Sequence, residues 1–310
     1  MFVARDSCPV CSGNRTEIVY STPYVGTEVE TFLRQKYDRK PRDQTYAERL
    51  EGFDFTVLRC VACSALFQRL APDREFASEY YETWIADHGH PKFPFGEYTH
   101  SINEAMTLTA FLLKQTGKSF PNDLWILDFG VGQGVFALAM RACGCRVAAF
   151  DLSQARNDTA RDNGLTIVEY EDIPDSNFDF INTEQVFEHL DQPRVTASHL
   201  VEGLAPRGVL KISVPYAKWL ETGHFRIDWN ALRYGRHSMM PLQPLEHLTY
   251  FKRPSLDIMM KGLGLSRKKP KLSDELNYLF DWRGLRNIAK NLIRPIARDR
   301  FRNYFLYARD

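Results

Sequence analysis

The stretch Leu127-Asp128-Phe129-Gly130-Val131-Gly132-Gln133-Gly134, with Asp151 closing the next apolar run, constrains this chain more than any other feature. Leu124 to Phe129 is a segment of strand length, apolar except for Asp128, and Val135 to Ala142 continues at helical spacing, so the glycines fall in a strand-to-helix turn. Glycine tolerates positive φ and lets backbone approach a ligand closely. A carboxylate about 20 residues further on is placed to take a pair of ribose hydroxyls. Together these predict an α/β layer with a nucleotide-cofactor pocket at the strand end.

Two cofactors use such a turn, and the spacing separates them. The dinucleotide fingerprint G-x-G-x-x-G needs its third glycine at position 135, which is Val135. The pattern here is D-x-G-x-G-x-G. Asp128 would repel a pyrophosphate and attract a cationic amino-acid group, which favours S-adenosylmethionine over NAD.

The segments downstream are similar to those of class I S-adenosylmethionine-dependent methyltransferases, in particular the branch whose fourth strand runs into Glu-His-Leu. Thr166 to Tyr170, followed by Glu171-Asp172-Ile173-Pro174, resembles the third strand and its acidic turn. Phe178 to Thr183, followed by Glu184-Gln185-Val186-Phe187-Glu188-His189-Leu190, resembles the fourth. Leu200 to Gly208 resembles the helix and turn feeding a fifth strand at Val209 to Val214, with Arg207 where the family usually has glycine. Leu245 to Phe251 and a helix from about Pro254 also match, so the resemblance covers roughly Asn103 to Leu265. It implies a Rossmann-like seven-stranded sheet. It also implies a cofactor site formed by Asp128, Gly130, Gly132, Gly134, Asp151, Leu152, Asp172, Ile173 and Glu184, with Asp172 accepting from the adenine amino group. Ligands in open α/β sheets bind at the carboxyl ends of strands, which directs Glu184 to His189 toward the reaction site.

A second signal lies near the amino terminus. Cys8-Pro9-Val10-Cys11 and Cys60-Val61-Ala62-Cys63 have the spacing of two zinc knuckles. Four cysteines leave no open ligand position, so zinc held by Cys8, Cys11, Cys60 and Cys63 would be structural. The alternatives are disulfides or unligated core thiols. Sugar C-methyltransferases of antibiotic pathways have a similar zinc lobe, with a long carboxyl-terminal domain that this chain lacks. The domain reading is residues 1–100 as a zinc-binding lobe with a partly helical excursion between the knuckles, and residues 101–310 as the methyltransferase domain. Cys143 and Cys145 read as small core residues.

Composition limits the function. With 310 residues, 44% of them hydrophobic, the chain can bury an α/β core and one accessory lobe. No apolar run approaches the ~18 residues of a membrane span, and no basic-then-apolar leader opens the chain, which suits a cytoplasmic protein with reduced thiols. The net charge of +1 conceals a basic stretch: Ser266 to Asp310 carries 12 Lys or Arg against 5 Asp or Glu, hence +7, and the remainder −6. A basic helical insertion near 277–300 would precede a final antiparallel strand within Arg302 to Arg309. Such charges usually make a solvated face, and otherwise attract an anionic acceptor. Scattered aromatics argue against nucleic acid. Oligomeric state leaves no trace in the sequence.

Methyl transfer requires an aligned acceptor and, for a hydroxyl, a base. His189 is the first candidate, oriented by Glu188, and His247 the second; His189 as a mere brace of the following helix is the plainer alternative. Tyr80, Tyr81, Tyr216 and His224 are candidates to roof the site. The reading is methylation of a small-molecule or glycan-like acceptor, at a hydroxyl. One alternative is a metal-dependent RNA 2′-O-methyltransferase, because the E-x-x-E-H cluster of those enzymes is similar to Gln185-Val186-Phe187-Glu188-His189 plus His247, although neutral Gln185 is a poor ligand for a hard cation. A non-catalytic cofactor-binding scaffold is another, and an NAD oxidoreductase ranks last.

Overall fold

The computed structural model describes residues 1–37, 49–79, 95–222, 225–232, 235–269 and 304–310. The expected basic insertion near 277–300, Tyr80, Tyr81 and His224 lie outside them. The chain forms two compact units. One comprises residues 89–186, 196–213 and 263–310; the other comprises residues 1–88, 187–195 and 214–262.

The first of these is a mixed α/β unit around a seven-stranded sheet. Its strands are β1 (Trp125–Phe129), β2 (Arg146–Phe150), β3 (Thr166–Ile167), β4 (Phe178–Glu184), β5 (Leu204–Ser213), β6 (Ser266–Lys268) and β7 (Tyr304–Ala308). They lie in the order β6-β7-β5-β4-β1-β2-β3. The contacts among β1 to β5 are parallel, and β7 runs antiparallel to both β5 and β6. This is the class I methyltransferase sheet. Ile126 to Phe129 and Phe178 to Thr183 are wholly buried, as expected of central parallel strands covered on both faces. Helices α1 (Phe95–Thr116), α2 (Val135–Ala142) and α3 (Gln154–Asp162) belong to this unit, and its core gathers Leu108, Leu112, Ile126, Met140, Phe180 and Leu306. The chain runs outward from β1 through β2 to β3 and then returns to β4 on the other side. The β1/β4 pair is therefore the topological switch point, where open α/β sheets leave a crevice.

Two strands differ from expectation. β3 stops at Ile167 and the chain turns through a short 3-10 segment at Tyr170–Asp172. It is an edge strand followed by Glu169 and Glu171, with little apolar surface to bury. β5 starts early: Leu204 already pairs with Phe178, and a register shift before Val209 absorbs the Pro-Arg-Gly turn within the strand.

The other unit is antiparallel. Strands Thr16–Pro23, Asp54–Cys60, Leu66–Gln68 and Thr249–Tyr250 form one sheet, and Phe2–Ala4 pairs with Leu70–Pro72. Among the described residues between the knuckles are the strand Thr16–Pro23, the helix Glu28–Tyr37 and the strand Asp54–Cys60. Its core includes Tyr24, Phe55, Phe76, Leu242 and Tyr250. Arg5, buried and with its pKa pulled down to about 9 by desolvation, ties three stretches together. It donates to the carbonyls of Gln68 (2.9 and 2.6 Å), Leu248 (2.6 Å) and Asp191 (3.4 Å) and to Thr249 Oγ1 (3.1 Å). The Gln68 amide adds bonds to the carbonyls of Gln243 (2.8 Å) and His247 (2.9 Å). Among the described residues no helix is long and apolar enough to cross a membrane.

Candidate functional site

At the carboxyl end of β1 the backbone turns sharply. Gly130 and Gly132 have φ of +79° and +53°. A Cβ on Gly130 would lie 2.5 Å from Val186 Cγ2, so only glycine fits there. A Cβ on Gly132 would meet nothing nearer than the Gly130 carbonyl oxygen at 3.9 Å, which leaves open space above the turn. Gly134, also at positive φ, stands at the cap position of α2.

Asp151, at the end of β2, is buried and held by backbone. Its Oδ2 accepts from Gly132 N (3.0 Å) and its Oδ1 from Ser153 N (3.0 Å), with Arg156 at 3.5 Å. Asn157 closes a reciprocal pair with the Asp151 backbone at 2.9 and 2.8 Å. Each carboxylate oxygen retains a lone pair for a hydroxyl. Leu152 beside it is 86% exposed, an apolar face without a cover in this unit. Asp172 lies on the exposed 3-10 turn, and Ile173 is fully buried beneath it.

Asp128 is buried on β1, level with Asn182 of β4, whose Nδ2 donates to Asp128 Oδ1 at 2.6 Å. Burial pushes the Asp128 carboxyl up to about 7; the amide of Asn182 and the charge of Lys211 oppose the shift and that of Glu184 adds to it. Asn182 Oδ1 is buried with no hydrogen-bond partner among the described residues. An orphaned acceptor beside a carboxylate suits an ammonium group, which offers donors to both. The open glycine turn, the clamped Asp151 and this acceptor pair together fit the amino-acid and ribose parts of S-adenosylmethionine. Glu184 ends β4 half-exposed, bound to Lys211 Nζ (2.8 Å) and Ser213 Oγ (2.7 Å). Gln185 follows in the left-handed region (φ +53°), its amide donating to Ser213 Oγ at 3.2 Å.

In the antiparallel unit Glu188, His189 and His247 come together: a ligating atom from each lies within 4.8 Å of the others. Glu188 is fully buried, and its Oε1 lies 4.0 Å from His189 Nε2. The two imidazoles meet edge to face at 4.7 Å. His189 Nδ1 lies 3.0 Å from the carbonyl oxygen of Glu246, a group that can only accept, so Nδ1 carries the proton and Nε2 has the lone pair in the neutral ring. Tyr216 is 51% exposed in the same unit.

The four knuckle cysteines also converge, with all four Sγ atoms within 4.8 Å of one another. Cys8 and Cys63 are 3.6 Å apart and Cys11 and Cys60 3.5 Å. A disulfide needs about 2.05 Å, whereas sulfurs about 2.3 Å from a tetrahedral metal lie roughly 3.8 Å from one another. Each knuckle closes alike. Ser12 N donates to the Cys8 carbonyl and Ser64 N to that of Cys60, both at 2.9 Å, with both serines at φ above +60°. The contact with Cys63 holds the Cys8 thiol down to about 5, which favours its thiolate.

Sequence reasoning passed over Asn182, Lys211 and Glu104. Lys211 had a signal, a cation inside the apolar run from Val209 to Val214.

The family model described as a methyltransferase domain matches residues 98–267, more than half of the chain. The chain belongs to that family, and it is an S-adenosylmethionine-dependent methyltransferase. Similar solved structures include an amino pentose methyltransferase of calicheamicin biosynthesis from Micromonospora echinaspora, 15% identical, covering 72% of this chain and all of that one (100%) at a TM-score of 0.44. A sugar N-methyltransferase from a Streptoalloteichus species is 13% identical over 67% of this chain and 87% of its own, TM-score 0.43. DesVI of Streptomyces venezuelae is 15% identical over 68% and 92%, TM-score 0.43. No curated protein matches the sequence.

Proposed function

We propose that this methyltransferase methylates a hydroxyl of a small-molecule or glycan-like acceptor, with His189 as the base. The observation that carries the reading is the tautomer of His189: Nδ1 is committed to the Glu246 carbonyl, which leaves Nε2 to receive a proton. S-adenosylmethionine supplies an activated methyl group; the protein's own work is to hold the acceptor and remove its proton. Once Nε2 is protonated, the buried Glu188 carboxylate at 4.0 Å steadies the imidazolium. The ring of His247, 4.7 Å away, limits how far the imidazole can turn.

Cofactor binding divides among Asp128 and Asn182 for the amino-acid end, Gly130, Gly132 and Gly134 for backbone approach, Asp151 for the ribose, and Leu152, Asp172 and Ile173 for the adenine. Cys8, Cys11, Cys60 and Cys63 hold a structural zinc, which suits a reducing compartment where thiols stay available. RNA methylation through a metal is the weaker reading, because Gln185 is neutral and its amide is engaged by Ser213.

The test is release of S-adenosylhomocysteine from purified protein given pooled hydroxylated metabolites and glycosides, with RNA as a separate arm. His189→Gln should lower kcat by roughly 10²–10⁴-fold with cofactor affinity preserved. Turnover on RNA alone, abolished by a chelator that leaves the knuckle zinc in place, would overturn the reading.

A further inference from the structure

Lys211 of β5 is fully buried, an unusual place for an ammonium. It meets Glu104 Oε1 of α1 and Glu184 Oε2 of β4, each at 2.8 Å, and lies 4.8 and 4.9 Å from the ring centroids of Phe136 and Tyr304. Burial works against its charge, but the two carboxylates more than reverse this and raise its pKa. One cation against two anions leaves one negative charge over. Glu104 is 13% exposed and Glu184 49%, so the surplus faces outward at Glu184.

A half-exposed glutamate at a strand end is ordinarily free to swing. This one is fixed through both oxygens, Oε2 by Lys211 and Oε1 by Ser213 Oγ. Burial pushes its carboxyl up, but Lys211 and Ser213 outweigh that and hold it below the usual range, so it is ionised at neutral pH. Glu184 and Lys211 both act on the charge of Asp128, which places the three in one local field at the carboxyl ends of β1 and β4.

We propose that Lys211 is a positioning residue that holds the Glu184 carboxylate toward the sulfonium end of S-adenosylmethionine, so that the site prefers the cationic cofactor over its neutral thioether product. The inference rests on the cofactor reading. Adenine, ribose, amino and carboxylate groups are common to both ligands, and contacts to them from Asp128 or Asp151 cannot tell the two apart. Only the sulfur changes charge, from +1 to 0 as the methyl group leaves it. A fixed carboxylate near it therefore favours substrate binding and product release together.

The experiment is calorimetric titration of the full-length protein with S-adenosylmethionine and, separately, S-adenosylhomocysteine. Glu184→Gln, at the surface, should weaken the first about tenfold and the second less than about twofold. The double variant Glu104→Gln/Lys211→Met, which avoids stranding two carboxylates, should also lower the ratio of the two affinities, because Glu184 loses its anchor. Equal weakening of both ligands, or an unchanged ratio in folded variants, would make the triad purely structural and overturn the proposal. If the wild-type protein bound neither ligand, the cofactor reading itself would fall, a result distinct from an unchanged ratio.

Discussion

The two units are held together in different ways. The α/β unit is specified locally: β1, β2 and β4 are apolar runs with glycine or acidic punctuation at their ends, and each meets its neighbour through regular parallel registers. The antiparallel unit is assembled from three stretches of chain, residues 1–88, 187–195 and 214–262. Its ties are polar and long-range: Arg5 to the carbonyls of Gln68, Asp191 and Leu248, Gln68 to those of Gln243 and His247, and thiols 55 and 49 residues apart in sequence. Local apolar runs mark out one unit; the other buries an apolar core too, but long-range polar contacts tie its three stretches together. The cost of a single substitution should differ accordingly.

The largest difference should come from Cys60→Ser. Structural zinc contributes on the order of 10 kcal/mol to folding where it closes a small lobe. The variant should lose its metal by elemental analysis, and hydrogen exchange should rise across residues 1–79 while β1, β2, β4 and β5 keep their protection. Uniform loss of protection in both units would erase the distinction drawn here. Next in size is Arg5→Ala, which removes a buried donor from the carbonyls of Gln68, Leu248 and Asp191 and should cost about 3 kcal/mol in urea unfolding. A cost below about 0.5 kcal/mol would mean that apolar packing, not the arginine, joins the three stretches.

The smallest effect sharpens the α/β side. Burial pushes the Asp128 carboxyl up to about 7. Below that pH its carboxyl is protonated, and a cationic amino group binds only after the proton leaves. Affinity for S-adenosylhomocysteine should therefore fall toward a slope of about tenfold per unit as pH drops from 7 to 5.5, and rise no more than about twofold from 7 to 8. Asp128→Asn should remove that slope. A flat wild-type profile would mean that Asp128 does not meet the amino group.

The same contrast explains what was legible in the sequence. The sheet could be read because each of its central strands is a self-contained apolar run, and the turn at Gly130 to Gly134 because its glycines and acids have fixed spacing. The knuckles were visible for the same reason. The strands Thr16–Pro23 and Asp54–Cys60 were not, since Thr, Glu, Ser and Arg alternate there with apolar residues without a long run; the expectation was only a partly helical excursion, and the helix Glu28–Tyr37 does lie between them. The joining of Leu245 to Tyr250 to the amino-terminal sheet was equally hidden. It depends on Arg5 and Gln68, and nothing local marks either as a buried donor. Lys211 was the legible exception that went unused: a lysine inside a buried strand announces a charged network, although only the fold reveals Glu104 and Glu184 as its partners.

The central claim is that Asp128 on β1 and Asp151 after β2 make the α/β unit an S-adenosylmethionine site. Its most direct test is titration of S-adenosylhomocysteine into the wild-type protein and Asp151→Ala, with NAD as a control ligand. Losing charged hydrogen bonds to two ribose hydroxyls should weaken S-adenosylhomocysteine about a hundredfold, with NAD silent against both proteins. Equal affinity in the two proteins, or binding of NAD in place of S-adenosylhomocysteine, would contradict the account.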